Sequence, residues 1–189
     1  MKGLFISGSG TDVGKTFIAS YLIQALNSKH RVVARKPIES DCIKTPQGLT
    51  PKDAVLLNNA CASPEPIEAV CAYRFGACAS GEKASTEEGI EVTLDNLIDA
   101  SHPTNVTDFV VVEGAGGLYS PIATQLLNVD LATALDLPVV MVVKDELGAI
   151  NQALLILRAA KAHNLNVIML VLNQMSANNL DNAKAIQAY

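Results

Sequence analysis

The sequence lacks the residues on which several classes of site depend. Its 189 residues include no tryptophan, and aromatic residues make up only 4% of the chain. The four cysteines, at positions 42, 61, 71 and 78, form no CxxC pair and have no histidine at ligand spacing. This spacing argues against a zinc or iron–sulfur site and favours reduced thiols that pack as small core or loop residues.

Long hydrophobic runs and an excess of positive charge are missing as well. No apolar stretch reaches membrane-spanning length, and the apolar pattern near the N-terminus leads directly into glycines, unlike a signal peptide. The 14 basic and 19 acidic residues give a net charge of −5, which argues against a nucleic-acid-binding surface. A hydrophobic content of 49% excludes disorder. The composition therefore predicts a soluble, cytoplasmic chain that folds as one domain over residues 1–189.

Short β-branched runs alternate with longer helical patterns along the chain, which is typical of an α/β fold with a parallel sheet. The pattern predicts strands over 3–7, 31–34, 108–113, 138–143 and 166–172. It predicts helices over 15–27, 52–59, 93–100, 130–135 and 149–163, and a last helix that begins near Asn178. Residues 60–92 have no clear periodicity and are predicted to hold little regular structure. The expected fold is a single doubly wound, mostly parallel sheet with helices on both faces.

A glycine-rich loop, GSGTDVGKT at residues 8–16, separates the first predicted strand from the first predicted helix. Such a loop directs backbone N–H groups at a phosphate, and the helix N-terminus adds a favourable dipole. Lys15 would reach the β- and γ-phosphates, and the Thr16 hydroxyl would bind Mg²⁺. A dinucleotide-binding GxGxxG motif is excluded, because Val13 stands where its third glycine is needed. The loop predicts a phosphate site of the P-loop NTPase type, although the strict pattern would have glycine in place of Ser9.

Two charged residues, Glu113 and Lys36, lie at the carboxyl ends of predicted strands, and Asp53 lies in a predicted first helical turn. Glu113 closes a buried strand, where a carboxylate can hold Mg²⁺ directly or through water, and the glycines after it let backbone approach a ligand. Lys36, at the end of the second strand, can face a terminal phosphate, although an exposed lysine is the ordinary interpretation of one lysine alone. Asp53, in a first helical turn, is by itself typical of a residue that favours the helix dipole.

Taken together, these motifs resemble the dethiobiotin synthetase family of P-loop enzymes. The resemblance runs from residue 1 to the end of the chain, although the family continues past Tyr189 with a strand and an adenine-contacting loop. It rests on Gly-x5-Gly-Lys-Thr at 8–16, Lys36-Pro37 with Ser40, Lys52-Asp53-Ala54, Tyr73-Arg74-Phe75, residues 112–117 with Pro121, residues 147–151, and Asn173.

The resemblance implies an ATP-dependent ligase that makes dethiobiotin in biotin biosynthesis. Its substrates would be 7,8-diaminononanoate, CO₂ or bicarbonate, and ATP, with Mg²⁺ as the metal. Carboxylation of one amine would be followed by phosphorylation of the carbamate and by closure of the ureido ring. The family also implies a homodimer, and neither nucleic acid nor a membrane is an expected partner.

The resemblance further implies which residues act. Lys15, Lys36 and Thr11 would be catalytic, and Lys15→Ala or Lys36→Ala is expected to abolish turnover while leaving the fold intact. Mg²⁺ would lie among Thr16, Asp53 and Glu113. The nucleotide would contact Asp12, Val13, Gly14, Lys15, Thr16, Phe17, Asp53, Glu113, Gly114, Ala115, Gly116, Asn173 and Gln174. The substrate would contact Thr11 and Ser40, and across the dimer the segment formed by Leu147, Gly148, Ala149, Ile150 and Asn151.

Departures from the family pattern leave other functions open. Ser80 is followed by Gly81-Glu82 where the family usually has proline and histidine, and a negative charge near the diamine site could tune or block substrate binding. If Glu82 repels the diamine, Glu82→His should tighten diamine binding. Gln152 likewise replaces a family histidine. The alternatives are a nucleotide-driven switch ATPase of the partitioning or metal-delivery type, and a degenerate homologue with another substrate. An amidoligase of the cobyrinic acid diamide synthase type is disfavoured, because 189 residues leave no room for its glutaminase domain.

Overall fold

The computed structural model describes residues 1–177 and 179–189. Its strands in chain order are β1 (Gly3–Gly8), β2 (Val32–Arg35), β3 (Ile38–Glu39), β4 (Ile43–Thr45), β5 (Gly48–Thr50), β6 (Tyr73–Arg74), β7 (Phe109–Glu113), β8 (Pro121–Ala123), β9 (Leu126–Leu127), β10 (Val139–Lys144) and β11 (Val167–Asn173). Its helices are α1 (Lys15–Leu26), α2 (Lys52–Ala60), α3 (Ile67–Val70), α4 (Gly81–Glu87), α5 (Leu94–Ser101), α6 (Asn128–Leu135), α7 (Ala149–Ala162) and α8 (Asn182–Ile186).

The centre of the fold is a five-stranded sheet in the order β11-β10-β1-β7-β2, in which every neighbouring pair is parallel. All five strands therefore end at the same edge. The register pairs Ile6 of β1 with Glu113 of β7, and Arg35 of β2 with Val112 of β7. The predicted doubly wound parallel sheet is confirmed.

Both faces of the sheet are covered by helices, because successive strand residues point to opposite sides. Ile6 belongs to a core that includes buried residues of α1, α2 and α3, whereas its neighbour Phe5 belongs to a second core with residues of α4 to α7. Burying each large apolar side chain of this kind contributes about 1.5–3 kcal/mol. The two cores fix the sheet between two helical layers and hold its carboxyl edge in place.

The five predicted strands of the sheet are confirmed, with boundaries that differ by at most one residue. The helices predicted over 15–27, 52–59, 93–100, 130–135 and 149–163 are confirmed as α1, α2, α5, α6 and α7. Thr93 caps α5, since its side chain accepts a hydrogen bond from the backbone N–H of Asn96. The predicted start of the last helix near Asn178 lies outside the described residues, and α8 begins at Asn182.

The prediction of little regular structure over 60–92 is wrong. This segment contains α3, β6 and α4, and β6 pairs in parallel with β3 through Ile38 and Tyr73. These elements are short, so they carry no readable periodicity and depend on partners elsewhere in the chain.

The cysteines behave as the sequence predicts. All four are free thiols, and Cys42, Cys61 and Cys71 are buried, while Cys78 is exposed. Burial raises the pKa of both Cys42 and Cys61 to about 11, so these thiols stay protonated at neutral pH. Across the described part of the chain, none of the helices is long and apolar enough to cross a membrane.

Candidate active site

The loop between β1 and α1 adopts a conformation that requires glycine at its last turn. Gly14 has φ +91°, and a Cβ atom there would lie 2.0 Å from Nδ2 of Asn173. The same Nδ2 donates a hydrogen bond of 3.0 Å to the carbonyl oxygen of Val13. The end of β11 therefore packs directly against the loop and holds its backbone.

The loop lysine is buried beside this turn. Lys15 is only 6% exposed, and its Nζ donates a hydrogen bond of 2.7 Å to the carbonyl oxygen of Gly10. Burial, together with the positive charge of Lys36, lowers the pKa of Lys15 to about 8. Lys15 is thus a cation that a negatively charged ligand at the loop would stabilise.

The sheet edge brings a second lysine between two carboxylates. Lys36 donates hydrogen bonds to Oε1 of Glu113 and, at 3.2 Å, to Oδ2 of Asp53. The side chains of Lys36 and Glu113 are 3% and 0% exposed. Burial alone would lower the pKa of Lys36, but the two carboxylates outweigh burial and raise it above its ordinary value. The positive charge on Lys36 is therefore fixed by its neighbours.

Thr16 joins the loop to this cluster. Its Oγ1 donates a hydrogen bond of 3.0 Å to Oε1 of Glu113, and it also contacts the carboxylate of Asp53. Burial would raise the pKa of Asp53, but the charge of Lys36 and the hydrogen bonds from Lys36 and Thr16 lower it. The structure therefore brings together the side chains of four predicted site residues, namely Thr16, Lys36, Asp53 and Glu113.

The chemistry of this cluster fits Mg²⁺. Thr16, Asp53 and Glu113 offer only hard oxygen atoms, and Oε2 of Glu113 is buried without a hydrogen-bond partner among the described residues. Within residues 1–177 and 179–189, no three His, Cys, Asp or Glu side chains form a group that could hold a metal. Two carboxylates and a hydroxyl suit Mg²⁺, which usually keeps waters and binds phosphate oxygens.

A cavity of about 470 Å³ opens beside the cluster. Among the residues that line it, seven are predicted site residues, namely Thr11, Asp12, Lys36, Ser40, Asp53, Ala115 and Gly116. The Ser40 hydroxyl donates a hydrogen bond of 2.6 Å to the carbonyl oxygen of Ala79. Because its hydrogen is used in this way, the Ser40 oxygen is left to accept a hydrogen bond from a ligand.

The predicted substrate segment at the start of α7 lies on the other side of the loop. Leu147, Gly148 and Ala149 line a second cavity of about 270 Å³, which shares Thr11 and Asp12 with the first. Ile150 and Asn151 line neither cavity. The described chain therefore brings part of this segment to the loop and directs the remainder elsewhere.

Three residues predicted to contact the nucleotide, Phe17, Asn173 and Gln174, line neither of these two cavities. Phe17 is 63% exposed on α1, with its ring centroid 6.4 Å from that of Tyr21. Gln174 is exposed, and the amide of Asn173 is bonded to the loop. In this structure the side chain of Asn173 therefore contacts the backbone of the phosphate loop at Val13.

Sequence reasoning missed two buried polar residues that support the site. Asn128, fully buried at the start of α6, donates a hydrogen bond of 3.2 Å to the carbonyl oxygen of Gly117, and a Cβ atom at Gly114 would lie 2.3 Å from its Nδ2. Glu39, at the end of β3, accepts hydrogen bonds from two backbone N–H groups at the start of α2. The proline before α2 was a usable signal, since it offers no side-chain acceptor for that helix end.

The carboxylate of Glu82 is bonded outside the cavity. Its Oε1 accepts a hydrogen bond of 3.2 Å from the backbone N–H of Gln125, and Glu82 does not line the cavity, although Ser80 and Gly81 do. The structure does not bring the Glu82 carboxylate to this cavity, and its effect on diamine binding stays a prediction.

Comparison with known proteins shows which families and proteins the chain is similar to. A family model described as an AAA domain matches residues 2–189. An ATP-dependent dethiobiotin synthetase (BioD) from Ruthia magnifica subsp. Calyptogena magnifica is 56% identical over 189 residues, which cover 100% of this chain and 87% of that protein. The protein of the same name from Aeromonas hydrophila is 36% identical over 178 residues, covering 93% and 79% of the two chains.

Among solved structures, a ParA family ATPase from Chlorobium tepidum TLS superposes with a TM-score of 0.57 and covers 99% of this chain and 82% of its own. At 15% sequence identity, this likeness concerns the fold alone.

Proposed function

Since the chain belongs to the ATP-dependent dethiobiotin synthetase family, we infer that it is the ligase that forms dethiobiotin in biotin biosynthesis, with ATP as co-substrate. The switch-ATPase alternative is not favoured, because the likeness to a ParA family ATPase at 15% identity concerns the fold alone, whereas the chain is 56% identical to a synthetase. What remains to be assigned is how this chain's residues perform the reaction.

We propose that the reaction takes place in the cavity between the phosphate loop and Lys36. Addition of CO₂ to one amine of 7,8-diaminononanoate gives a carbamate and releases a proton. A carbamate oxygen then bonds to the γ-phosphorus of ATP, and ADP leaves. The second amine attacks the carbamoyl carbon, and the bond between that carbon and the phosphate oxygen breaks, so that inorganic phosphate leaves. The ureido ring closes with loss of a proton.

The observation that carries this assignment is the buried Lys36, held between Glu113 and Asp53 at the edge of the phosphate loop. A fixed positive charge at this point stabilises negative charge on the carbamate and on the transferring phosphoryl oxygens. Lys15 supplies a second positive charge from the loop. Because both ammonium groups are buried and already oriented, little reorganisation is needed when charge develops.

Mg²⁺ would be held by Thr16, Asp53 and Glu113, and when bound it neutralises phosphate charge and orients the phosphoryl group. The buried oxygen of Glu113 that lacks a hydrogen bond supports this assignment. Thr16 acts as the link between the carboxylates and the loop, since its hydroxyl already bonds to Glu113.

The diamine would lie in the cavity with Ser40 and Thr11. The Ser40 oxygen is available to accept a hydrogen bond from an amine N–H, as argued above. The charged side chains around this cavity are two lysines and four carboxylates, and this excess of negative charge suits an amine substrate. The charged lining residues are Asp12, Lys36, Glu39, Asp41, Lys52 and Asp53.

We further propose that residues 1–189 act as one synthetase domain in a cytoplasmic homodimer. Leu147, which lies beside the loop and is 89% exposed, supports an apolar contact at this point of the surface. Light scattering of the purified protein should give twice the mass of one chain, and a monomer that retains full activity would contradict the proposal.

Phosphate release from Mg·ATP and bicarbonate, with and without 7,8-diaminononanoate, tests the function directly. We expect release that depends on the diamine. Slow release that ignores the diamine would contradict the proposal and favour a degenerate homologue with another substrate.

Two lysine variants test the site. Lys15→Ala should lower turnover by roughly 100-fold or more, whereas Lys29→Ala, which removes an exposed lysine just beyond α1, should leave it unchanged. Equal activity of the two variants would remove Lys15 from the chemistry.

A further inference from the structure

Glu39 is a buried carboxylate to which no contact with the metal or the nucleotide is assigned. It ends β3 and is only 4% exposed. One of its oxygens accepts a hydrogen bond of 2.9 Å from the backbone N–H of Asp53, and the other accepts one of 2.9 Å from the N–H of Ala54. Both oxygens are thus engaged with the first turn of α2.

The first turn of α2 has no cap of its own. The residue before the helix is Pro51, which makes no side-chain hydrogen bond to the turn. The second and third N–H groups of a helix are those that a capping side chain normally satisfies, and a negative charge there also favours the helix dipole. In α2 the side chain that accepts these two N–H groups is the carboxylate of Glu39, which lies 14 residues before Asp53 in the sequence. The bond therefore fixes the start of the helix relative to β3.

Asp53 is the residue that this arrangement positions. Its side chain is short and 41% exposed, so the place of its carboxylate follows closely from the place of its backbone nitrogen. From there, its Oδ2 lies 3.2 Å from Nζ of Lys36. A displacement of the first turn by about 1 Å would move this carboxylate away from the phosphate loop, and shifts of that size are costly in active sites.

We propose that Glu39 is a positioning residue which, by accepting the N–H groups of Asp53 and Ala54, sets the Asp53 carboxylate for the metal–nucleotide complex. This inference rests on the proposed role of Asp53 in holding Mg²⁺. Glu39 acts through the helix and touches neither the metal nor the phosphates. Residues that hold metal ligands in place typically change metal affinity or activity by about 10–100-fold when replaced.

Mn²⁺ binding in the presence of ADP is the direct test, with free Mn²⁺ counted by electron paramagnetic resonance. Glu39→Ala removes both acceptors and should weaken Mn²⁺ binding by about tenfold. Glu39→Gln keeps one acceptor oxygen and should lose less, and it also provides a folded variant if the alanine variant is unstable. ADP binding without metal should change little in either variant.

Thr93→Ala is the matched control, because it removes a helix cap of similar kind from α5, away from the cavity. It should lower the melting temperature to an extent comparable to Glu39→Ala and leave Mn²⁺ affinity unchanged. If the Glu39 variants also lose only thermal stability, Glu39 is merely a cap and the proposal is overturned.

Two further outcomes separate the remaining possibilities. Glu39 borders the cavity, so a raised KM for the diamine with unchanged Mn²⁺ affinity would mean direct substrate contact, which also overturns the proposal. Asp53→Ala reports on the metal site itself. If Asp53→Ala leaves Mn²⁺ affinity unchanged, the proposed metal role of Asp53 fails; if it weakens binding and Glu39→Ala does not, only the inference about Glu39 fails.

Discussion

Replacing Lys36 by methionine should destabilise the protein as well as inactivate it. Methionine keeps much of the aliphatic volume of lysine and removes the charge between Glu113 and Asp53. Glu113 would then be left as a charge with 0% of its side chain exposed. Removing one partner of a buried ion pair costs roughly 3–5 kcal/mol, because the other charge remains desolvated. Since Asp53 is 41% exposed, we assign nearly all of this loss to Glu113.

The second half of the prediction concerns the double variant Lys36→Met/Glu113→Gln. It leaves no unpaired buried charge, so its unfolding free energy should lie within about 1–2 kcal/mol of the parent. The double variant should therefore be more stable than Lys36→Met alone by roughly 2 kcal/mol, and this recovery of stability is the quantity that the buried pair predicts. Loss of activity in both variants is expected and does not bear on the recovery.

Urea unfolding followed by far-ultraviolet circular dichroism measures these free energies, since the chain has no tryptophan to report by fluorescence. The sequence alone predicts that Lys36→Ala leaves the fold intact, whereas the buried pair predicts a less stable fold. A cost below about 1 kcal/mol for Lys36→Met, or a double variant no more stable than the single one, would refute the reasoning by showing that Glu113 is hydrated.

Three other predictions concern pH, the loop and the substrate side. The pKa of Lys15 is lowered to about 8 from an ordinary 10.5, so ADP affinity should fall as the pH rises through about 8. Calorimetry in two buffers should then detect proton uptake when ADP binds. In the absence of ligand, the free energy of unfolding should rise from about pH 8 to 10.5, because over this range the unfolded chain binds more protons than the folded one. Equal affinity on both sides of pH 8 would contradict this. Gly14→Ala, at φ +91° and 2.0 Å from Asn173, should abolish ADP binding and cost more stability than Gly89→Ala, which is strained at φ +66° but has open space. Glu82→His should leave the KM for the diamine unchanged, since Glu82 lies outside the cavity lining; a clear decrease would restore the repulsion hypothesis.

The frame of the fold could be predicted because its signals are local and strong. Runs such as residues 139–143 are apolar throughout, as strands buried on both faces must be, and the glycine loop stands directly between β1 and α1. Parallel strands end at one edge, so Lys36 and Glu113 could be expected near the loop without knowledge of any contact.

The pairing of those residues could not be predicted. The sequence offers Lys36 as an ordinary surface lysine, and its burial depends on Asp53 and Glu113, which are 17 and 77 residues away. Glu39 is an extreme case of the same kind. Its carboxylate could equally have faced solvent, and only the approach of the uncapped start of α2 gives both oxygens a partner.

Strand order is the step that converts these separate motifs into one site. In the order β10-β1-β7-β2, the strand that carries Glu113 lies between the strand before the phosphate loop and the strand before Lys36. Glu113 can therefore contact Thr16 on one side and Lys36 on the other. If β2 and β7 exchanged places, every motif would remain in the sequence, but Lys36 would lie next to the loop and Glu113 at the outer edge. The carboxylate would then have neighbours on one side only, and the buried cluster could not form.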